Sequence, residues 1–163
     1  MIVRQLRADE AALFRALRLR ALADAPDAFA HTHEEISAKP DAYWAEMTCS
    51  VTEPGRHVMF VAEDEGPVGM AFGLVDSQRS DRAHLGGMWV APSARHRGVG
   101  RALTDAVLAW ARERAFADIV LWVADGNDEA MKLYERMGFA GTGRSDRLPT
   151  NPRRAILEMA RAL

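Results

Sequence analysis

One cysteine, Cys49, stands in a chain of 163 residues, so no intrachain disulfide can form and the Cys-rich zinc frameworks are excluded. Lysine is nearly absent: the basic residues are 19 arginines against two lysines, Lys39 and Lys132. No apolar run approaches the roughly 20 residues that cross a bilayer. Met1 to Arg7 meets Asp9 and Glu10 before the apolar stretch of a secretory leader can form. Neither sign of charge dominates, the formal net charge being -2, so the strongly basic domain that nucleic-acid binding wants is missing. No repeat, low-complexity tract or linker interrupts the chain. These absences leave a single soluble, reduced, cytoplasmic domain as the expectation, with neither nucleic acid nor membrane among its partners.

Hydrophobic residues make up 48% of the chain, enough for one buried core. Their spacing predicts a helix over 10–25, capped by Asp9, with Leu13, Phe14, Leu17 and Ala21 on one face. Pro26 stops it, and a broken helical stretch follows that includes 41–47, where Tyr43 and Trp44 read as core or groove wall. The period then changes: 57–63 and 68–75 read as a hairpin around Asp64-Glu65-Gly66-Pro67, and 83–90 as a third strand. A long helix is expected from Gly98 to about Ala115, with Val99, Leu103, Val107, Leu108, Trp110 and Ala111 inward. A buried strand at 119–123, a helix over 128–137, a loop over 144–154 and a last strand at 155–160 complete the series. The fold class expected is α/β, a mixed sheet with an antiparallel N-terminal half and a β-α-β crossover in its C-terminal half, flanked by helices.

Chemistry concentrates between Val90 and Leu103, where a strand gives way to Arg95-His96-Arg97-Gly98-Val99-Gly100-Arg101 and then to the long helix. Glycines there let backbone N–H groups approach a ligand, and a helix N-terminus favours an anion such as a pyrophosphate. Gly100-Arg101-Ala102 lacks the Lys-Ser/Thr of a nucleotide-triphosphate loop, and Leu103 stands where a dinucleotide fingerprint needs a small residue. Arg-x-x-Gly-x-Gly therefore stands as its own signature, against the plainer reading of a helix entry with solvated arginines.

Downstream come Leu121-Trp122-Val123, Asn127, Tyr134-Glu135-Arg136 and Gly138-Phe139. With that series in order, residues 57–143 resemble the GCN5-related N-acetyltransferase (GNAT) family. The opening, from Arg18-Leu19-Arg20 through Pro26-Asp27-Ala28-Phe29 to Glu34-Glu35, also resembles a bacterial subset of it. The resemblance implies acetyl transfer from acetyl-CoA to a primary amine by direct attack in a ternary complex, with an acetyl-CoA-binding core at about 83–140. Arg95, His96, Arg97, Gly98, Val99, Gly100 and Arg101 would hold the pyrophosphate. Met88, Trp89 and Val90 would present strand backbone to the pantetheine where two strands splay, and a backbone N–H near Val90 would polarise the thioester carbonyl. Asn127 would touch the pantetheine arm, and Tyr134 would be the general acid near the departing sulfur.

The general base has no single family position. Glu34 and Glu35, where the second helix borders the acceptor cleft in such proteins, rank ahead of Asp76 and His84, and together with Asp76 they suggest a cationic acceptor. Arg144, Arg147, Arg153 and Arg154 read as solvated loop charges, with recognition of an anionic acceptor as the alternative. Cys49 reads as a buried, inert thiol, and His31-x-His33 as no metal site, since the pair diverges on a helix and lacks a third ligand. A non-catalytic CoA-binding sensor or regulatory domain of the same fold is the rival reading, and a transferase of longer acyl chains a weaker one. The acceptor is left open between a small molecule and a protein amine. The final strand and the antiparallel edge offer surfaces for a homodimer.

Overall fold

The computed structural model describes residues 1–163. The chain runs β1 (Ile2–Gln5), α1 (Ala11–Asp24), α2 (His33–Ser37), α3 (Asp41–Val51), β2 (His57–Glu63), β3 (Pro67–Val75), β4 (Arg82–Val90), α4 (Val99–Glu113), β5 (Asp118–Ala124), α5 (Asp128–Arg136), β6 (Ala140–Leu148) and β7 (Asn151–Ala162), with 3-10 turns at Pro26–Ala28 and Pro92–Ala94. The seven strands form one sheet in the order β1-β2-β3-β4-β5-β7-β6. Strands β1 to β4 are joined antiparallel, β4 and β5 are parallel across the α4 crossover, and β7 inserts antiparallel between β5 and β6. The mixed sheet flanked by helices is the fold class expected from the sequence.

Apolar periodicity divides the helices between two cores, one on each face of the sheet. Helix α4 turns Val99, Leu103, Val107, Leu108, Trp110 and Ala111 inward against Leu85, Ile119 and Leu121. On the opposite face α1 and α3 bring Phe14, Leu17, Leu22 and Trp44 onto Met59, Val61, Met70 and Trp89. Leu17 and Leu103 are fully buried, each contributing about 1.5–3 kcal/mol relative to an exposed side chain. No helix is long and apolar enough to cross a membrane.

Four features depart from the sequence reading. The segment before the first helix is a strand, too short to carry a period of its own. It is pinned because Arg4 donates to Glu10 at 2.8 and 2.9 Å and to Glu63 at 2.7 Å. Asp9 does not cap α1: it pairs with the exposed Arg7, while Glu10 takes the N-cap position and commits its carboxylate to Arg4 and to the Arg7 N–H. The expected loop over 144–154 is instead the end of β6, a turn at Pro149 and Thr150, and the start of β7. Strand β6 is an edge strand exposed over nearly its whole length, which explains its polar composition. Pro152 is tolerated because β5 pairs with β7 only from Ile156 onward. Finally, Cys49 is exposed on α3 rather than buried.

Candidate active site

Strands β4 and β5 pair only through Arg82↔Asp118, Ala83↔Ile119 and His84↔Val120. Beyond His84 they part, and a bulge in β4 accompanies the separation. Phe72 faces Gly86 and Met70 faces Trp89, so Gly87 and Met88 together oppose Ala71. Gly87 holds φ +57°, and a Cβ there would lie 2.0 Å from the Phe72 ring, so a side chain has no room. The bulge also shifts the alternation of the strand. Ala83 and Leu85 point into the α4-side core, and so do Met88 and Val90, while Trp89 turns to the α1 side. The Ala91 N–H donates to the Val68 carbonyl at 2.8 Å. Val90, opposite Gly69, is therefore in the register whose N–H and C=O point away from β3, into the gap. Trp89 is in the alternate register, with its backbone turned to β3.

The gap opens toward the loop before α4. His96 has φ +60° and Gly98 φ +82°, a left-handed residue at the helix N-cap. The N–H groups of His96, Arg97, Gly98, Val99, Gly100 and Arg101 find no acceptor in the chain. Such a row at a helix N-terminus is an anion site. The arginine side chains are turned elsewhere. Arg95 donates to the Val90 carbonyl at 3.1 Å and pairs with Asp24, Arg97 pairs with Asp64, and Arg101 lies 3.6 Å from Asp105. The His96 ring is exposed, 3.5 Å from Glu129. The loop's capacity for an anion thus rests on backbone more than on guanidinium groups.

On the α4 side, Asn127 caps α5: its Oδ1 accepts from the Ala130 N–H at 3.3 Å, leaving its amide N–H₂ free to donate. Tyr134 is buried, with its ring edge-on to Phe139 at 5.8 Å. Its hydroxyl bonds no group of the chain yet is not sealed from solvent. Burial holds the phenol well above its ordinary pKa of 10, so it stays protonated at neutral pH.

On the opposite face, His84 sits where the strands divide. Burial lowers its pKa below the ordinary 6.5, with Asp76 and Glu158 pulling weakly the other way. Glu158 lies on β7 across from Trp122; only 4% exposed, it accepts from the Thr142 hydroxyl at 2.9 Å and pairs with Arg144 at 3.0 Å. Arg144 also lies over the Trp122 ring, 5.8 Å from its centre. The Asp76 carboxylate accepts from the Gln78 and Arg79 N–H groups at 2.8 and 3.0 Å. Glu35 closes a capping box with Thr32, and those hydrogen bonds hold its carboxyl below the usual carboxylate range. Glu34 is exposed in the same turn.

Residues 17–139 match the model of the acetyltransferase (GNAT) family. The chain belongs to this family. A mycothiol acetyltransferase of Rhodococcus jostii is 30% identical to it over 129 residues, 76% of this chain and 40% of that protein; the chain therefore spans about two fifths of that relative's length. A ribosomal-protein-alanine N-acetyltransferase from Brucella melitensis superposes with a TM-score of 0.82 at 21% identity, over 100% of both chains. An acetyltransferase from Salmonella typhimurium, solved with its cofactor acetyl-CoA, gives 0.79 at 15% identity, over 100% of this chain and 94% of that one.

Around the GNAT gap the fold gathers Val90, the loop 96–101, Asn127 and, at the vertex, His84. Glu34 and Glu35 lie on α2, which packs on α1, with Glu35 held in the cap of its own helix. Arg144, Arg147, Arg153 and Arg154 lie on β6 and β7 rather than in a loop: the first three are exposed, Arg144 also pairing with Glu158, and the half-buried Arg154 pairs with Asp27. His31 and His33 gather no third ligating side chain. Glu158 escaped the sequence reading, although an acid inside the apolar run Ile156-Leu157-Glu158-Met159 is a visible signal. So did the unpaired state of Arg18, which only the fold can show.

Proposed function

We propose that this chain transfers the acetyl group of acetyl-CoA to a primary amine by direct attack in a ternary complex. The observation that carries the reading is the parted β4–β5 pair leading to six unpaired backbone N–H groups, a cleft with an anion site at one end. Family membership and the acetyl-CoA held by the Salmonella relative support the same ligand. Residues 83–140 form the acetyl-CoA core. The N–H groups of 96–101 bind the pyrophosphate, and Val90, with Met88 two residues before it, forms the strand edge along the pantetheine; Trp89, expected there too, has its backbone turned to β3. Asn127 donates to that arm through its free amide.

A lysine-like amine costs roughly 4–5 kcal/mol to deprotonate at pH 7, so a proton acceptor must stand near it. His84 fits that role better than Glu34 or Glu35. It is neutral at pH 7 and stands at the vertex of the gap, whereas the Glu35 carboxylate is engaged by its cap, which makes it a weaker base. As the N–C bond forms, the amine proton passes to His84. Negative charge growing on the carbonyl oxygen meets the Val90 N–H. As the C–S bond breaks, Tyr134 gives its proton to the sulfur and later regains one from solvent. His84 and Tyr134 belong to opposite faces of the sheet, so the proton acceptor and the proton donor are separate groups.

The test is release of CoA thiol from acetyl-CoA in the presence of a panel of amines. Release that depends on the amine, with kcat about 10–100-fold lower in Tyr134→Phe at unchanged acetyl-CoA affinity, is the expected result. Acetyl-CoA binding without release for any amine would overturn the transferase reading in favour of a CoA-binding sensor.

A further inference from the structure

Seven arginines are half-buried: Arg4, Arg15, Arg18, Arg82, Arg95, Arg154 and Arg161. Six have partners: Glu10 and Glu63, Asp41, Asp118, Asp24, Asp27, and the Met137 carbonyl, respectively. Arg18 has none. Its guanidinium carbon lies over the Phe29 ring, 4.7 Å from the centre. Tyr43 is the one titratable group near enough to act on it, and no carboxylate of the fold does so. Burial alone pulls its pKa down from the ordinary range. A desolvated cation with its hydrogen-bonding fork unused costs stability, so its retention calls for a compensating anion from outside the chain.

The position of Arg18 says which anion. Helix α1 ends over β4, where Asp24 accepts from the Trp89 indole N–H at 2.9 Å. The turn Pro26–Ala28 that follows touches β5, and the Phe29 carbonyl accepts from the Thr150 hydroxyl at 2.8 Å, at the β6–β7 turn. Phe29 and Arg18 therefore stand on the face that His84 shares, beside the strands that part there and away from the loop 96–101. A planar fork over an aromatic ring suits a carboxylate held by two parallel hydrogen bonds.

Resting on the acetyltransferase reading, we propose that the acceptor is an amine that also carries a carboxylate, and that Arg18, braced on Phe29, binds that carboxylate and so positions the amine toward His84. The substrate class is an amino acid or a compound with the same amine-and-carboxylate pair. Arg18 is a specificity-determining residue in this assignment and takes no part in proton transfer.

The test separates this inference from the transferase reading. Protein saturated with CoA is titrated with N-acetylated protein amino acids and with the matching N-acetyl amino amides, so that binding is read without turnover. At least one acid is expected to bind roughly tenfold or more tighter than its amide. Arg18→Met should erase that difference while leaving acetyl-CoA affinity and the thermal midpoint of the free protein undiminished. Arg18→Lys, which keeps the charge and loses the fork, should retain only part of it. Aminoalkyl phosphonates form a second arm, and tighter binding of these than of every carboxylate would overturn the carboxylate assignment. Equal binding of acid and amide, no binding of any acid, or a preference that survives Arg18→Met would overturn it too. A lowered thermal midpoint in Arg18→Met would mark the residue as a packing element. Failure of the transferase reading has a separate signature, the absence of amine-dependent thiol release.

Discussion

His84 concentrates the chemistry of the proposed site in one side chain, and its burial gives two consequences of known sign. The folded protein resists protonating it, whereas the unfolded chain takes the proton at the ordinary value near 6.5. Stability attributable to this residue is therefore full above about pH 6.5 and is lost as the pH falls toward the lower folded value. Thermal midpoints measured at about pH 7.5 and 5.5 should fall more on acidification in wild type than in His84→Gln. The pH profile of kcat/KM should carry an acidic limb below about pH 6.5 that the variant lacks. Identical profiles in the two proteins would remove His84 from proton transfer. A stretch of sequence offers a strand histidine but not its depth or its place at the last β4–β5 pair, which is why Glu34 and Glu35 rank ahead of it there. Tyr134 differs: its place before Gly138-Phe139 is legible, and burial adds the reason its phenol stays protonated, as the proposed acid must.

At the scale of elements, the β4 bulge governs the cleft. It turns Trp89 toward α1 and directs the Val90 N–H into the gap. Only glycine fits at residue 87, where φ is positive and the Phe72 ring occupies the space of a Cβ. Gly87→Val should therefore destabilise the fold by about 2–4 kcal/mol, a value typical of overpacking plus backbone strain. Chemical denaturation measures it, and a loss below about 0.5 kcal/mol would show that β4 does not need the bulge. Strands β2 to β5 and helices α1, α4 and α5 are readable because their apolar spacing is regular. Strand β1 is too short to show a period. Strand β6 lies at an edge with both faces polar, so its composition imitates a loop. The bulge leaves only the pair Gly86-Gly87 as a trace, compatible equally with a turn or a flexible strand.

The whole molecule is one sheet with a core on each face, and the gap in that sheet connects the two sides. Acetyl-CoA is assigned to the parted strands and the loop before α4, and the amine to the face bounded by α1 and the β6–β7 hairpin. The sheet's mixed topology follows from element order, and the cofactor loop from its glycine spacing. The proposed acceptor side is legible only in part: His84 stands among the candidate bases, but its neighbour Glu158 and the placement of Arg18 over Phe29 come from residues that meet only after folding. Calorimetric titration with acetyl-CoA of wild type and of Gly98→Asp tests whether the loop before α4 holds the cofactor. A side chain at residue 98 has open space around it. Aspartate is among the residues that tolerate a left-handed backbone, and its charge suits a helix N-terminus, so the variant should fold. Its carboxylate would occupy the anion site. Wild type should bind in the low-micromolar range, about -8 kcal/mol, and the variant at least tenfold more weakly. Equal affinity in two folded proteins, or no binding to wild type, would contradict the assignment of the loop 96–101 to the cofactor.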